Sequence, residues 1–202
     1  MTERSRLSRV IHALVKASAW PGRMASWAVV VIMILTVLTV VFSQLRFGVI
    51  ATWETSVPLL GNRITLAGLT ELQWHFFGLL VMLGGAYALQ TDTHIRVDIF
   101  YANLGPRGQR VVDVLGDVLL LLPFCVIITY YSLGYVERAF VSGERSDYGG
   151  LRDRYLVKSL IPIGLTLLGI GALLRTLRNL LQIFGVMEMR DEAQDRAGGT
   201  GT

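Results

Sequence analysis

The sequence predicts an all-α integral membrane protein with four transmembrane helices. The first reason is an uncharged run of 22 residues from Met24 to Leu45, followed by long apolar stretches around 72–91, 118–136 and 159–174. The second is composition: the chain is 52% hydrophobic and only 17% charged, with a mean hydropathy of +0.52, whereas a soluble domain carries about 25% charged residues. The third is pattern. The runs are long and do not alternate, and a hydrocarbon core of roughly 30 Å takes about 20 apolar residues as a helix. In lipid a helix pairs every backbone polar group within its own segment. Four spans with their loops use nearly all of the 202 residues, so no separate soluble domain is expected.

The elements follow in chain order. In residues 1–23, Leu7, Val10, Ile11, Leu14 and Val15 recur at helical spacing, flanked by Arg4, Arg6, Arg9 and Lys16. This reads as a basic amphipathic segment lying on an anionic membrane surface; the alternative is a solvated tail. No cleavable signal peptide is expected, because the apolar run is too long for a signal core. Pro21-Gly22 is expected to break the chain before the first span, residues 24–45, whose Trp27 suits the membrane interface. Residues 46–70 are too interrupted to span, with Arg46, Glu54, Pro58, Gly61-Asn62 and Arg63. They predict an interfacial or re-entrant segment with a turn near Pro58–Asn62.

The second span covers about 71–90, with Glu71, Trp74 and His75 at its start and Gly84-Gly85-Ala86 deep inside. Small residues of this kind let helices approach closely. A polar connection follows, containing His94, Arg96 and Asp98 and then Leu104, Pro106 and Arg107. The third span runs over about 111–135, and Pro123 is expected to kink it. Residues 137–158 form a charged loop in which Gly149-Gly150 marks a turn. The fourth span covers about 157–177, with Pro162 early and Gly164, Gly169 and Gly171 inside. Its stripe continues through Leu173, Leu177, Leu180, Leu181 and Phe184, with Arg175 and Arg178 on other faces, so the helix is expected to extend beyond the lipid. The membrane domain is thus placed at 24–185, and residues 186–202 read as a disordered tail.

Charge sets the expected orientation. With both termini in the cytoplasm, twelve Lys and Arg fall on the inside and seven on the outside. Residues 46–70 and 137–158 are then periplasmic. The net charge is +4. No nucleic-acid partner is expected.

The residues exclude more chemistry than they offer. The single cysteine, Cys125, has no partner for a disulfide or a thiolate cage and reads as a small buried hydrophobe. His75 lacks a second well-placed histidine for haem, since His12 and His94 belong to the other side. No phosphate loop, dinucleotide fingerprint, metal spacing or nucleophile elbow occurs. No catalytic residue, cofactor or metal is therefore expected. Asp113 and Asp117 lie four apart on one helix face. An acid in a span is a functional hypothesis by default. Here the position near the interface, with Arg107 and Arg110 close in sequence, favours structural pairing. His94, Arg96 and Asp98 have the i, i+2 spacing of an extended segment. They are expected to fix the cytoplasmic connection, against a solvated charged loop as the alternative.

Taken in order, the residues resemble a known family. The run Glu71-Leu72-Gln73-Trp74-His75, then Gly84-Gly85-Ala86-Tyr87, His94-Ile95-Arg96-Val97-Asp98, Pro106-Arg107, Leu121-Leu122-Pro123-Phe124, Gly149-Gly150-Leu151 and Lys158-Ser159-Leu160-Ile161-Pro162 is similar to the DctQ-type small membrane subunit of TRAP transporters, the tripartite ATP-independent periplasmic transporters. The resemblance implies a bacterial inner-membrane scaffold. It implies two partners, a large membrane subunit that carries the substrate and sodium sites, and a periplasmic substrate-binding protein that delivers an organic acid. On that reading Gly84, Gly85 and Gly169 serve helix packing, and Arg152 and Arg154 contact the binding protein. Two other classes compete. A membrane anchor of a redox enzyme needs buried ligands, which an optical spectrum would reveal. A small autonomous exporter needs a carboxylate near mid-bilayer and transport by the chain alone.

Overall fold

In a computed structural model of the chain, the described residues are 13–14, 17–91, 101, 104–146 and 149–185. Four helices are long and apolar enough to cross a membrane: Ala17–Gln44, Leu66–Gln90, Pro106–Val141 and Tyr155–Ile183. Of the expected amphipathic segment 1–23 only 13–14 and 17–23 are described, and the expected tail 186–202 and the residues His94, Arg96 and Asp98 lie outside the described residues.

The first span differs from expectation at its start. Pro21 and Gly22 sit inside helical residues 17–25, and the interruption is a turn at Ser26-Trp27, before helix α1 (Ala28–Gln44). Gly22 instead serves packing. A Cβ there would lie 2.6 Å from the Leu83 carbonyl oxygen and 3.4 Å from the Gly84 Cα, so its missing side chain admits the second span. Exposed Met33, Ile34, Val37 and Val40 leave much of α1 facing outward.

Residues 46–70, expected only as an interfacial or re-entrant segment with a turn, take a definite form over 49–65. They form a β-hairpin, β1 (Val49–Val57) and β2 (Gly61–Thr65), paired antiparallel with Val49 opposite Thr65 and Val57 opposite Gly61. The turn falls in the predicted place, with Leu59 at φ +71° and Gly61 at φ +68°. The Trp53 indole N–H donates to the Gly61 carbonyl at 2.8 Å and ties the two strands together.

The second span, α2 (Leu66–Gln90), starts five residues before its predicted start because Thr65 caps it. The Thr65 Oγ1 accepts the Gly68 N–H at 3.0 Å, satisfying one orphan donor of the first turn. The third span likewise starts early, in α3 (Pro106–Gly116), where Pro106 occupies the first turn. Proline suits that position because its φ is preset and its missing N–H has no helical partner there. A π-helical turn, Asp117–Leu121, then leads into α4 (Leu122–Val141). The Leu122 N–H bonds the Asp117 carbonyl, five residues back. Pro123 cannot donate to the carbonyl four residues earlier, and the widened turn accommodates that loss. A short α5 (Tyr155–Lys158) precedes α6 (Leu160–Ile183).

Helix packing runs in the order first, second, fourth, third span. The fourth span is the most buried of the four. Gly164 of α6 meets α2 so closely that a Cβ would lie 2.6 Å from the Met82 carbonyl oxygen. Polar side chains stitch the same row: Gln73 Nε2 donates to Thr39 Oγ1 at 2.7 Å, and Gln90 Nε2 donates to the Gly171 carbonyl at 3.0 Å.

The last turns of α6 invert the usual pattern. Leu173, Leu177 and Phe184 are exposed, while Thr176, Asn179 and Gln182 are buried. The polar face is buried within the helix row, and Leu173, Leu177 and Phe184 stay on the outside.

Candidate functional site: a paired bundle interior and a capped end

Two polar clusters stand out, one inside the helix row and one at the end that carries the hairpin. The inner cluster centres on Asp117, which is 1% exposed. Arg175 Nε donates to Asp117 Oδ2 at 2.8 Å, and Arg175 Nη2 donates to Oδ1, a bidentate pair between the third and fourth spans. Thr176 Oγ1 adds a longer contact of 3.4 Å to the same carboxylate. The sequence placed Asp117 in a structural pair but looked to arginines nearby in sequence. The partner comes from 58 residues away, and Arg175 therefore faces the bundle interior. Asp113, one turn earlier, accepts the Tyr101 hydroxyl at 3.0 Å. Arg107 is exposed on the first turn of α3.

Such a pair closes the carboxylate. Both its oxygens carry charge-assisted bonds, and forked guanidinium geometry suits a planar carboxylate. The arrangement ties the π-turn of the third span to α6, with a charge-assisted bond on each carboxylate oxygen.

The predicted glycines divide by environment. A Cβ on Gly169 would lie 3.4 Å from the Cys125 Cβ, a tight contact within the chain, and Cys125 is buried as expected. A Cβ on Gly85 would make an ordinary 3.9 Å contact with Leu168. A Cβ on Gly84 would meet nothing within 4 Å. Gly164 and Gly22 are the closest of the interhelical contacts among the described glycines.

The outer cluster is built around Glu71, on the second turn of α2. Its carboxylate accepts the Leu151 backbone N–H at 2.8 Å and the Ser146 hydroxyl. Gly150 lies directly against it, with no room for a Cβ. One turn earlier, Thr65 Oγ1 donates to the Gly149 carbonyl at 3.1 Å. The hairpin turn holds the next two residues: the Arg152 N–H donates to the Leu59 carbonyl at 2.8 Å, and the Leu59 N–H reaches Asp153 Oδ2 at 3.4 Å. The Arg152 stem runs along Gly61. Arg154 lies 3.7 Å from Glu144, whose other oxygen pairs with Lys158. The Lys158 ammonium also sits 4.0 Å from the centre of the Tyr135 ring. His75 Nδ1 donates to the Glu71 carbonyl, so this histidine bonds a neighbour in its own helix.

Glu71 carries no site role in the sequence reading. Its only signal there is membership in the Glu71–His75 run, because the groups it holds lie about eighty residues downstream. Among the described residues, no group of three or more His, Cys, Asp and Glu is placed to hold a metal ion.

Residues 49–182 match the model of the family described as tripartite ATP-independent periplasmic transporters, DctQ component. The matched stretch runs from the first hairpin strand almost to the end of α6 and covers more than half of the chain. The chain is also 29% identical over 154 residues to the C4-dicarboxylate TRAP transporter small permease protein DctQ of Pseudomonas aeruginosa, with 70% of each chain covered.

Proposed function

The chain belongs to the DctQ family of small TRAP-transporter subunits, and from that premise we propose that it is the stationary subunit against which a larger partner moves. It is a transporter component and not an enzyme, a multi-pass protein of the bacterial inner membrane. The large subunit carries the substrate and ion sites, and a periplasmic binding protein delivers the substrate. That substrate is an organic acid and its uptake is coupled to sodium. The relative named for C4-dicarboxylates supports the carboxylate class.

The observation that carries this reading is the combination of a closed interior with an open flank. The buried acid is neutralised within the chain by Arg175, while Met33, Val37, Leu119, Leu120 and Val126 on the outer spans stay exposed. A subunit whose buried acid is already paired and whose apolar faces are free suits lateral packing in the bilayer. Small residues permit close approach, and on the second span a Cβ at Gly84 would meet nothing of this chain within 4 Å. The hairpin end faces the periplasm, supported by the excess of basic residues on the other side. Arg152 and Arg154, half-buried at that end, set the approach and orientation of the binding protein, since charges at a rim govern encounter more than affinity. His94, Arg96 and Asp98 hold the cytoplasmic connection.

Co-expression with the large subunit tests this. With a tag on the small chain, the large subunit co-purifies in near-equal amounts. Gly84→Leu lowers that recovery while leaving the level of the small chain unchanged. Failure of the wild-type pair to co-purify in a mild detergent and in nanodiscs would overturn the reading.

A further inference from the structure

The Glu71 carboxylate is the one acid of the second span, and it is spent entirely on backbone and hydroxyl groups of a distant loop. It accepts from Leu151 N–H and Ser146 Oγ, while Thr65 of the helix cap donates to Gly149 O. The loop closes on itself through the Ser146 N–H and the Leu151 carbonyl at 3.0 Å. Leu151 is 2% exposed, so the bonded amide lies in a dry setting. There an unmade hydrogen bond costs more than in water. The hairpin turn grips the next two residues, and the gripping groups are themselves held in uncommon backbone geometry. Leu59 at φ +71° and Asp153 at φ +53° are both left-handed without being glycine. Such conformations persist only where surrounding contacts over-determine them.

We propose that Glu71 is a positioning residue for docking: it joins the start of the second span, the hairpin and the 149–153 segment into one rigid plate that presents Arg152 and Arg154. The proposal rests on the docking role argued above. It goes further in assigning the stiffness of the docking surface to a carboxylate that itself touches no partner. A preformed plate binds without first ordering the loop, and the cost of that ordering otherwise subtracts from affinity.

Two independent variants open the clamp. Glu71→Ala removes the acceptors. Gly150→Ala drives a methyl into the space the carboxylate fills. Because both act at one contact, their effects do not add. Glu71→Gln keeps the shape, with its carbonyl accepting from Leu151 N–H and its amide donating to Ser146 Oγ, so it rescues.

The experiment uses the full chain with its large subunit in nanodiscs, read by hydrogen exchange and by titration with the cognate periplasmic binding protein. In Glu71→Ala the Leu151 amide exchanges at least tenfold faster while the amides of α2 and α6 keep wild-type rates. The half-saturating concentration of binding protein rises several-fold, with unchanged maximal binding and unchanged recovery of the large subunit. Glu71→Gln restores most of both. Gly150→Ala matches Glu71→Ala in the wild-type background and adds nothing in the Glu71→Ala background. Wild-type exchange at Leu151 in Glu71→Ala, or loss of protection spread equally through the helices, would overturn the proposal. Reversal of Arg152 and Arg154 to Glu separates the two levels. If it leaves binding unchanged while Glu71→Ala frees the loop, the clamp stands and the docking role fails.

Discussion

At the scale of single residues the decisive contact is Asp117 with Arg175. Breaking one half leaves a charge buried and unpaired, which costs about 3–5 kcal/mol, while replacing both halves by apolar groups is close to neutral. Asp117→Ala should therefore lower thermal stability sharply. The double variant Asp117→Leu/Arg175→Met should recover most of the loss. Thermal unfolding of the purified chain checks this, and a double variant as unstable as the single would point to a role other than pairing. Gly164→Ala tests a close packing contact: a methyl against the Met82 carbonyl forces the helices apart, at about 1–3 kcal/mol. The sequence reading expected a structural pairing for Asp117 because of its place in the first turns of a helix. It did not identify Arg175, because helical periodicity orders residues along one helix and says nothing of which faces meet. The same limit hid Glu71, whose partners are a backbone amide and a serine on another loop.

At the scale of elements, the four apolar runs were legible because lipid imposes length and composition directly. Their ends were less so. Capping by Thr65 and the first-turn Pro106 extend the second and third spans beyond the apolar runs. The hairpin escaped for a different reason: Val49–Val57 and Gly61–Thr65 lack a clean alternation, and their pairing is interrupted by irregular steps in register. Only the turn, with Pro58 and Gly61-Asn62, left a local mark. Pro21-Gly22 misled in the opposite sense, since Gly22 is required by a neighbouring helix rather than by a bend. The element-scale prediction is topological. In a Cys125→Ala background, Asn62→Cys at the hairpin tip should react with an impermeant maleimide from the periplasm. Phe184→Cys, exposed at the end of α6, should react only once the inner membrane is disrupted. The reverse pattern would invert the proposed orientation.

At the scale of the whole molecule, the helices form a row with the Asp117–Arg175 pair closed inward and apolar flanks open, capped at one end by a hairpin and loop held through Glu71. This is the form expected of a fixed neighbour for a moving partner. The central claim is that the chain carries no transport of its own. The most direct measurement is uptake of labelled mono- and dicarboxylates into liposomes under an inward sodium gradient, with this chain alone, with the large subunit alone, and with both plus the binding protein. The account predicts uptake only from the complete set, and none above empty liposomes from this chain alone. Substrate-dependent uptake by this polypeptide with neither partner present would contradict it.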